Sequence, residues 1–140
     1  MTTLKSFIYC EGIDTNMTPN GPKPSLVSPL AALTPMFIPS MYSFSIFMSI
    51  QHDELNCNNS FRIVFRKKDS DLLIVDSGSQ LLPPLDHESD LPKEARGFMI
   101  NMDLKNVVIK EEGMHICEVY INDILIGGSE IYAKAAENNG

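Results

Sequence analysis

The chain has no tryptophan among its 140 residues, so the Cys…Trp…Cys signature of a true antibody-type domain is missing. Basic residues are scarce: 11 Lys and Arg stand against 18 Asp and Glu, a formal net charge of −7. A phosphate backbone is bound by clustered cations that release its counterions, so nucleic acid is not an expected partner. Cysteine is sparse too. Cys10, Cys57 and Cys117 form no Cys-x-x-Cys pair, which argues against a structural zinc site, and an odd number cannot all pair in disulfides. Before Cys10 the apolar run is only Phe7-Ile8-Tyr9, too short for the core of a signal peptide. The expected location is cytoplasmic, and Asn16-Met17-Thr18 and Asn58-Asn59-Ser60 are read as chance matches to the glycosylation pattern.

Charge itself is lacking from Pro24 to His52, where 29 positions hold no Asp, Glu, Lys or Arg. A window this apolar raises the question of a membrane span. Pro29, Pro35 and Pro39 would break a spanning helix repeatedly, and six serines are scattered through the same window. No membrane association is expected. The acidity is correspondingly uneven: residues 1–52 balance Lys5 and Lys23 against Glu11 and Asp14, and residues 53–140 carry the whole −7.

What the sequence does contain is alternation. Phe44, Ile46, Met48 and Ile50 share one side of an extended segment whose other side is Ser43, Ser45, Phe47 and Ser49. That is a strand with one buried face. Phe61, Ile63 and Phe65 give a second such strand; Phe98, Ile100, Met102 and Leu104 a third; Cys117, Val119 and Ile121 a fourth. Leu72 to Val75 is a short apolar run closed by the turn signal Asp76-Ser77-Gly78, and Leu4 to Glu11 reads as the first strand. Asn122-Asp123 predicts a hairpin turn into Ile124-Leu125-Ile126, and Gly127-Gly128 a bulge or a close backbone approach. Helical signals amount to one turn over 90–96, with Asp90 as cap and Gly97 as stop. The expected fold is all-β: a single antiparallel, immunoglobulin-like β-sandwich of about 7–8 strands over residues 1–134, with a polar tail over 135–140.

The stretch from Glu112 to Gly127 contains Val119-Tyr120-Ile121-Asn122, with Ile126-Gly127 closing the hairpin. The N-terminal half supplies Tyr9-Cys10-Glu11, then Pro24-Ser25-Leu26-Val27-Ser28-Pro29-Leu30 and Phe37-Ile38-Pro39. Together these resemble a family of small, uncharacterised bacterial β-sandwich proteins. Their first strand ends in Cys-Glu and is followed by a Gly-containing strand and an aromatic residue ahead of Pro. Pro29 stands where that pattern carries Gly. The resemblance implies the sandwich, and it brings no catalytic residues with it.

Candidate chemistry is thin. His115 and Cys117 lie on one side of a strand, where a base could activate a thiol. Cys117 shares that side with Val119 and Ile121, so it is read as a small core residue and His115 as lying at the strand's edge. His52 with Asp53, and His87 with Glu88, could contribute ligands to a divalent metal at the strand ends. Consecutive residues of an extended chain point to opposite sides, so neither pair converges on one ion by itself. No cofactor and no catalytic residue is assigned. The charge-free segment offers a different role. Leu26, Val27, Leu30, Leu33, Met36, Phe37, Ile38 and Met41 are more apolar surface than a connection needs, and adaptable methionines are typical of docking surfaces. The expected partner is another protein or a second copy of the chain, and the expected role is non-enzymatic; a small-molecule or metal site is the alternative.

Overall fold

The computed structural model describes residues 2–52, 58–70, 73–82, 92 and 95–136. Asp90, Leu91, Lys93 and Glu94 of the expected turn over 90–96 fall outside them, as do Asp53, Cys57, His87 and Glu88; within that turn the Ala95 N–H donates to the Pro92 carbonyl at 2.9 Å. The described residues form ten strands and no helix long and apolar enough to cross a membrane. In chain order the strands are β1 (Thr2–Thr18), β2 (Gly21–Pro29), β3 (Ala32–Leu33), β4 (Ser40–His52) and β5 (Asn59–Lys67), followed by β6 (Leu73–Asp76), β7 (Gln80–Leu82), β8 (Gly97–Ile109), β9 (Gly113–Ile121) and β10 (Ile124–Ala133).

They build two sheets. Sheet A has the order β2-β1-β4-β8; sheet B has β3-β10-β9-β5-β6, with β7 also paired to β5. All pairings are antiparallel except β3 with β10. The all-β class expected from period-two alternation is therefore what the chain adopts, and two sheets around one core fit a β-sandwich. Ten strands appear where seven or eight are expected, because β3, β6 and β7 are only two to four residues long. The apolar stretch 25–33, which reads as one strand, is divided between the sheets. Pro29 ends β2, Leu30 donates its N–H to the Tyr9 carbonyl at 2.7 Å, and Ala32–Leu33 then joins the opposite sheet.

The core lies where the alternating faces meet. Phe44, Ile46, Met48 and Ile50 point inward from sheet A, and Phe61, Ile63, Phe65, Cys117, Val119 and Ile121 from sheet B; all are buried. The rings of Phe44 and Phe65 touch across the sheets with centroids 5.6 Å apart. Each such ring removes enough apolar area from water to contribute about 2–3 kcal/mol. The Tyr9 hydroxyl crosses the same gap to donate to the Ser129 carbonyl at 2.7 Å. Asn122 and Asp123 both adopt positive φ, 52° and 63°, the two-residue hairpin geometry read from the sequence. Asn122 Oδ1 also accepts the Ser60 N–H at 2.9 Å, which pins the hairpin to β5. The bulge expected at Gly127-Gly128 is present as a register shift between Leu125 and Gly127.

His115 is not at an edge. Strand β9 runs between β10 and β5, and the ring is buried, stacked on Phe65 at 5.6 Å and 17°. Burial lowers its pKa from the ordinary 6.5; the bond to the Gly113 carbonyl opposes this, Lys67 adds to it and Glu111 opposes it. The unfolded chain therefore binds this proton more readily than the folded one. The stabilisation is complete above about pH 6.5 and is lost as pH falls from there through the lowered folded value. Urea midpoints measured between about pH 8 and pH 5 should fall with acid. His115→Gln should flatten that slope; an unchanged slope would show that the imidazole is not held in its neutral form.

Candidate interaction surface

The two outer faces of the molecule differ in chemistry. Residues paired across strands share a face, so the register identifies each one. On sheet B the outward residues include matched charges: Arg62 meets Asp76 at 2.6 Å, Arg66 meets Glu118 at 2.7 Å and Lys68 meets Glu130 at 2.6 Å. They stand beside the exposed Leu73, Leu81, Met114, Leu125 and Tyr132. Lys67, paired with the inward-facing His115, meets Glu111 at the end of β5. The Arg62 guanidinium also lies 5.4 Å from the centre of the Tyr120 ring, and its hydrogen bonds hold the Asp76 carboxyl down at about 2. Covering this face would strip water from three ion pairs, which is costly.

Sheet A turns out a different set. Ile8 lies opposite Phe47, Cys10 opposite Ser45, and Ser6 opposite Ser49. On the other side of β4, Met41 lies opposite Val108, Ser49 opposite Met99, and Phe47 opposite Asn101. Val27 joins from β2, opposite Gly12. Met99 is 68% exposed, Met41 66%, Val108 42% and Val27 38%, while Ile8 and Phe47 are half-buried. Among the described residues, Asp103 is the carboxylate in the middle of this face, and it accepts the Ser45 hydroxyl at 2.6 Å. Its central side chains are small: Cys10 and Ser45 have almost no accessible surface even though they point outward. The middle of the face is apolar to weakly polar, and Asp14, opposite Ser25, and Lys23, opposite Asn16, lie on it toward the β1–β2 end.

The charge-free segment contributes unequally. Met36 (76% exposed) and Phe37 (66%) project from the loop between β3 and β4 and border Met41 and Ser43 in a shallow concavity with Pro35 and Tyr42. Val27 and Met41 lie on the face itself, and Leu26 is half-buried. Leu33 is a core residue with no exposed surface, because β3 pairs with the edge of β10 and sets it beside the buried Ala133; it cannot form the outer surface expected of it. Leu30 and Ile38 are partly buried against the same core and expose only part of their side chains. Val108, Met99, Ile8 and Phe47 were not signalled, since each is one apolar residue in a strand otherwise read by its inward side.

The remaining candidates do not assemble chemistry. Cys117 is fully buried and burial pushes its thiol up to about 12, so it stays protonated at neutral pH. Burial also raises the Cys10 thiol, whose Sγ lies 3.7 Å from the Ser45 carbonyl. His52 is buried at the end of β4; its Nδ1 lies 2.8 Å from Thr2 Oγ1, and its Nε2 has no hydrogen-bond partner. No group of three or more His, Cys, Asp or Glu able to hold a metal ion occurs among the described residues. No protein-family model matches the chain, and no curated protein matches it.

Proposed function

We propose that the chain is a non-enzymatic, cytoplasmic protein-contact module of immunoglobulin-like architecture, and that it acts through the outer face of sheet A with the neighbouring Met36–Phe37 loop. The observation that carries this reading is the contrast between the two outer faces. One carries three ion pairs among its exposed apolar residues; the other exposes Met41, Val108, Met99 and Val27 around a serine-rich centre that holds none of those ion pairs. Contiguous exposed apolar surface is characteristic of interaction sites, and low charge reduces the desolvation cost of covering it. The architecture is supported by a chain that crosses between the two sheets several times. A photo-reactive residue placed at Met41 or Met99 should capture a protein in intact cells, whereas one placed at Leu125, on the outer side of sheet B, should not. Absence of adducts from both sheet A positions would overturn the reading.

A second reading, a small-molecule or divalent-metal site at the strand ends, is favoured by the unpaired, buried Nε2 of His52. Zinc or manganese should then raise the melting temperature of the wild-type chain and leave His52→Gln unmoved. Equal responses would exclude this residue as a ligand.

A further inference from the structure

We infer that the occupant of the sheet A face is a second copy of this chain, packed sheet against sheet about a two-fold axis; the inference rests on the reading of that face as a protein-contact surface. Three observations point to a copy.

The first is area. A strand residue covers about 16 Å² of sheet, about 3.3 Å along the strand by about 4.8 Å across it. Where Thr2–Cys10 of β1 lies beside β4 and β8 the face presents about 560 Å², and the β1–β2 ribbon from Cys10 onward brings sheet A to about 800 Å², the area each partner contributes to a stable interface of standard size.

The second is charge. A chain carrying −7 repels its own copies over most of its surface. The middle of this face carries Asp103, already bonded to Ser45; Lys5 and Arg96 line one concavity beside it, and Lys105 lines the other with Glu11 and Asp14. A two-fold axis can set these cations near the partner's acids, so like-charge repulsion is reduced here. A strongly basic or a strongly acidic partner would meet like charges on this mixed surface.

The third is shape. The small side chains of Cys10, Ser45 and Ser49 let a second flat sheet approach, and Phe47, Met41 and Met99 stand above them as the groups to interdigitate. Face-to-face packing of this kind, at about 10 Å between sheets, is how β-sheets bury their faces elsewhere. Joining through strand edges is disfavoured at β2, where Pro22, Pro24 and Pro29 interrupt the donors.

Sedimentation equilibrium on the full chain tests this over micromolar concentrations, comparing wild type with Met41→Arg/Met99→Arg and with Leu125→Arg. The wild type and Leu125→Arg should be dimeric with the same dissociation constant. The double variant should dissociate at least about tenfold more readily, because it buries unpaired charge on both sides of the axis. All three residues are exposed, and matching melting temperatures at concentrations where each protein is monomeric will show that the fold is kept. A monomer throughout, or a dimer indifferent to the double substitution, would overturn the inference. If the wild type is monomeric while the sheet A cross-linkers capture a different chain in cells, the second copy is excluded and the protein-contact reading stands. If it is monomeric and nothing is captured, both fall.

Discussion

Phe44→Ala should lower the unfolding free energy by about 3–5 kcal/mol, the cost of truncating a buried aromatic ring in a core that cannot close around the void. Phe44 is only 2% exposed. Its ring lies 5.9 Å from Tyr9 and 6.1 Å from Tyr42 within sheet A, and 5.6 Å from Phe65 across the core. The row continues outward to Phe7 on one side, and through Phe65 to His115 on the other. Removing Phe44 therefore takes out the ring that joins the two sheets. Domains of this size are stable by only about 5–15 kcal/mol in total. The melting temperature should fall by about 10–20 °C, with Leu125→Ala, at an exposed residue on the other sheet, changing it little. The chain has no tryptophan, so circular dichroism and tyrosine emission would follow the transition. A loss below about 1 kcal/mol would mean that Phe44 does not lie between the sheets in solution.

Phe44 was legible from sequence because the signal it belongs to is local. A half-buried strand repeats every two residues, and a shift by one would turn the whole apolar set to water. The same holds for Phe61, Ile63 and Phe65, and for Cys117, Val119 and Ile121, all of which the structure buries. The Asn122-Asp123 turn was legible for a second local reason, since a two-residue hairpin requires positive φ and these residue types tolerate it. Pairing between distant strands leaves no local trace. That β1 lies between β2 and β4, and that β9 lies between β5 and β10, follows from contacts across tens of residues. His115 was misplaced for this reason: its own strand does not say whether it is flanked on both sides.

The candidate surface was half legible on the same grounds. The absence of charge from 24–52 pointed to a stretch in which Met36, Phe37 and Met41 are exposed. A charge-free stretch can mean core or interface, however, and only the third dimension divides them. Leu33 goes to the core beside Ala133 of β10, while Met41, eight residues on, goes to the outer face opposite Val108. The face itself is assembled from single apolar residues on separate strands, such as Ile8, Phe47 and Met99, each of which reads alone as an ordinary exposed hydrophobe.

Gly97→Ala should be the second severe substitution, and it tests the close joining of the strands that carry the face. Sequence reading gives Gly97 the role of stopping a helical turn. In the fold it is the first residue of β8, paired with Gln51 of β4, and a methyl group there would lie 1.9 Å from the Ile50 carbonyl oxygen. That oxygen belongs to the main chain of β4, so no rotamer change relieves the overlap; the strands must part. Spreading them breaks ladder hydrogen bonds at the end that holds Met99 and loosens the packing of Phe98, which is nearly buried. A cost of about 2–4 kcal/mol follows. Gly12→Ala is the matched control, because a methyl group at Gly12 meets nothing within 4 Å. Urea unfolding should separate the two variants clearly, and amide exchange should show lost protection at 50–52 and 97–99 in Gly97→Ala before any other part of the sheet. If Gly97→Ala is as stable as Gly12→Ala, β4 and β8 do not approach this closely in solution, and Met99 is not fixed where a second sheet could meet it.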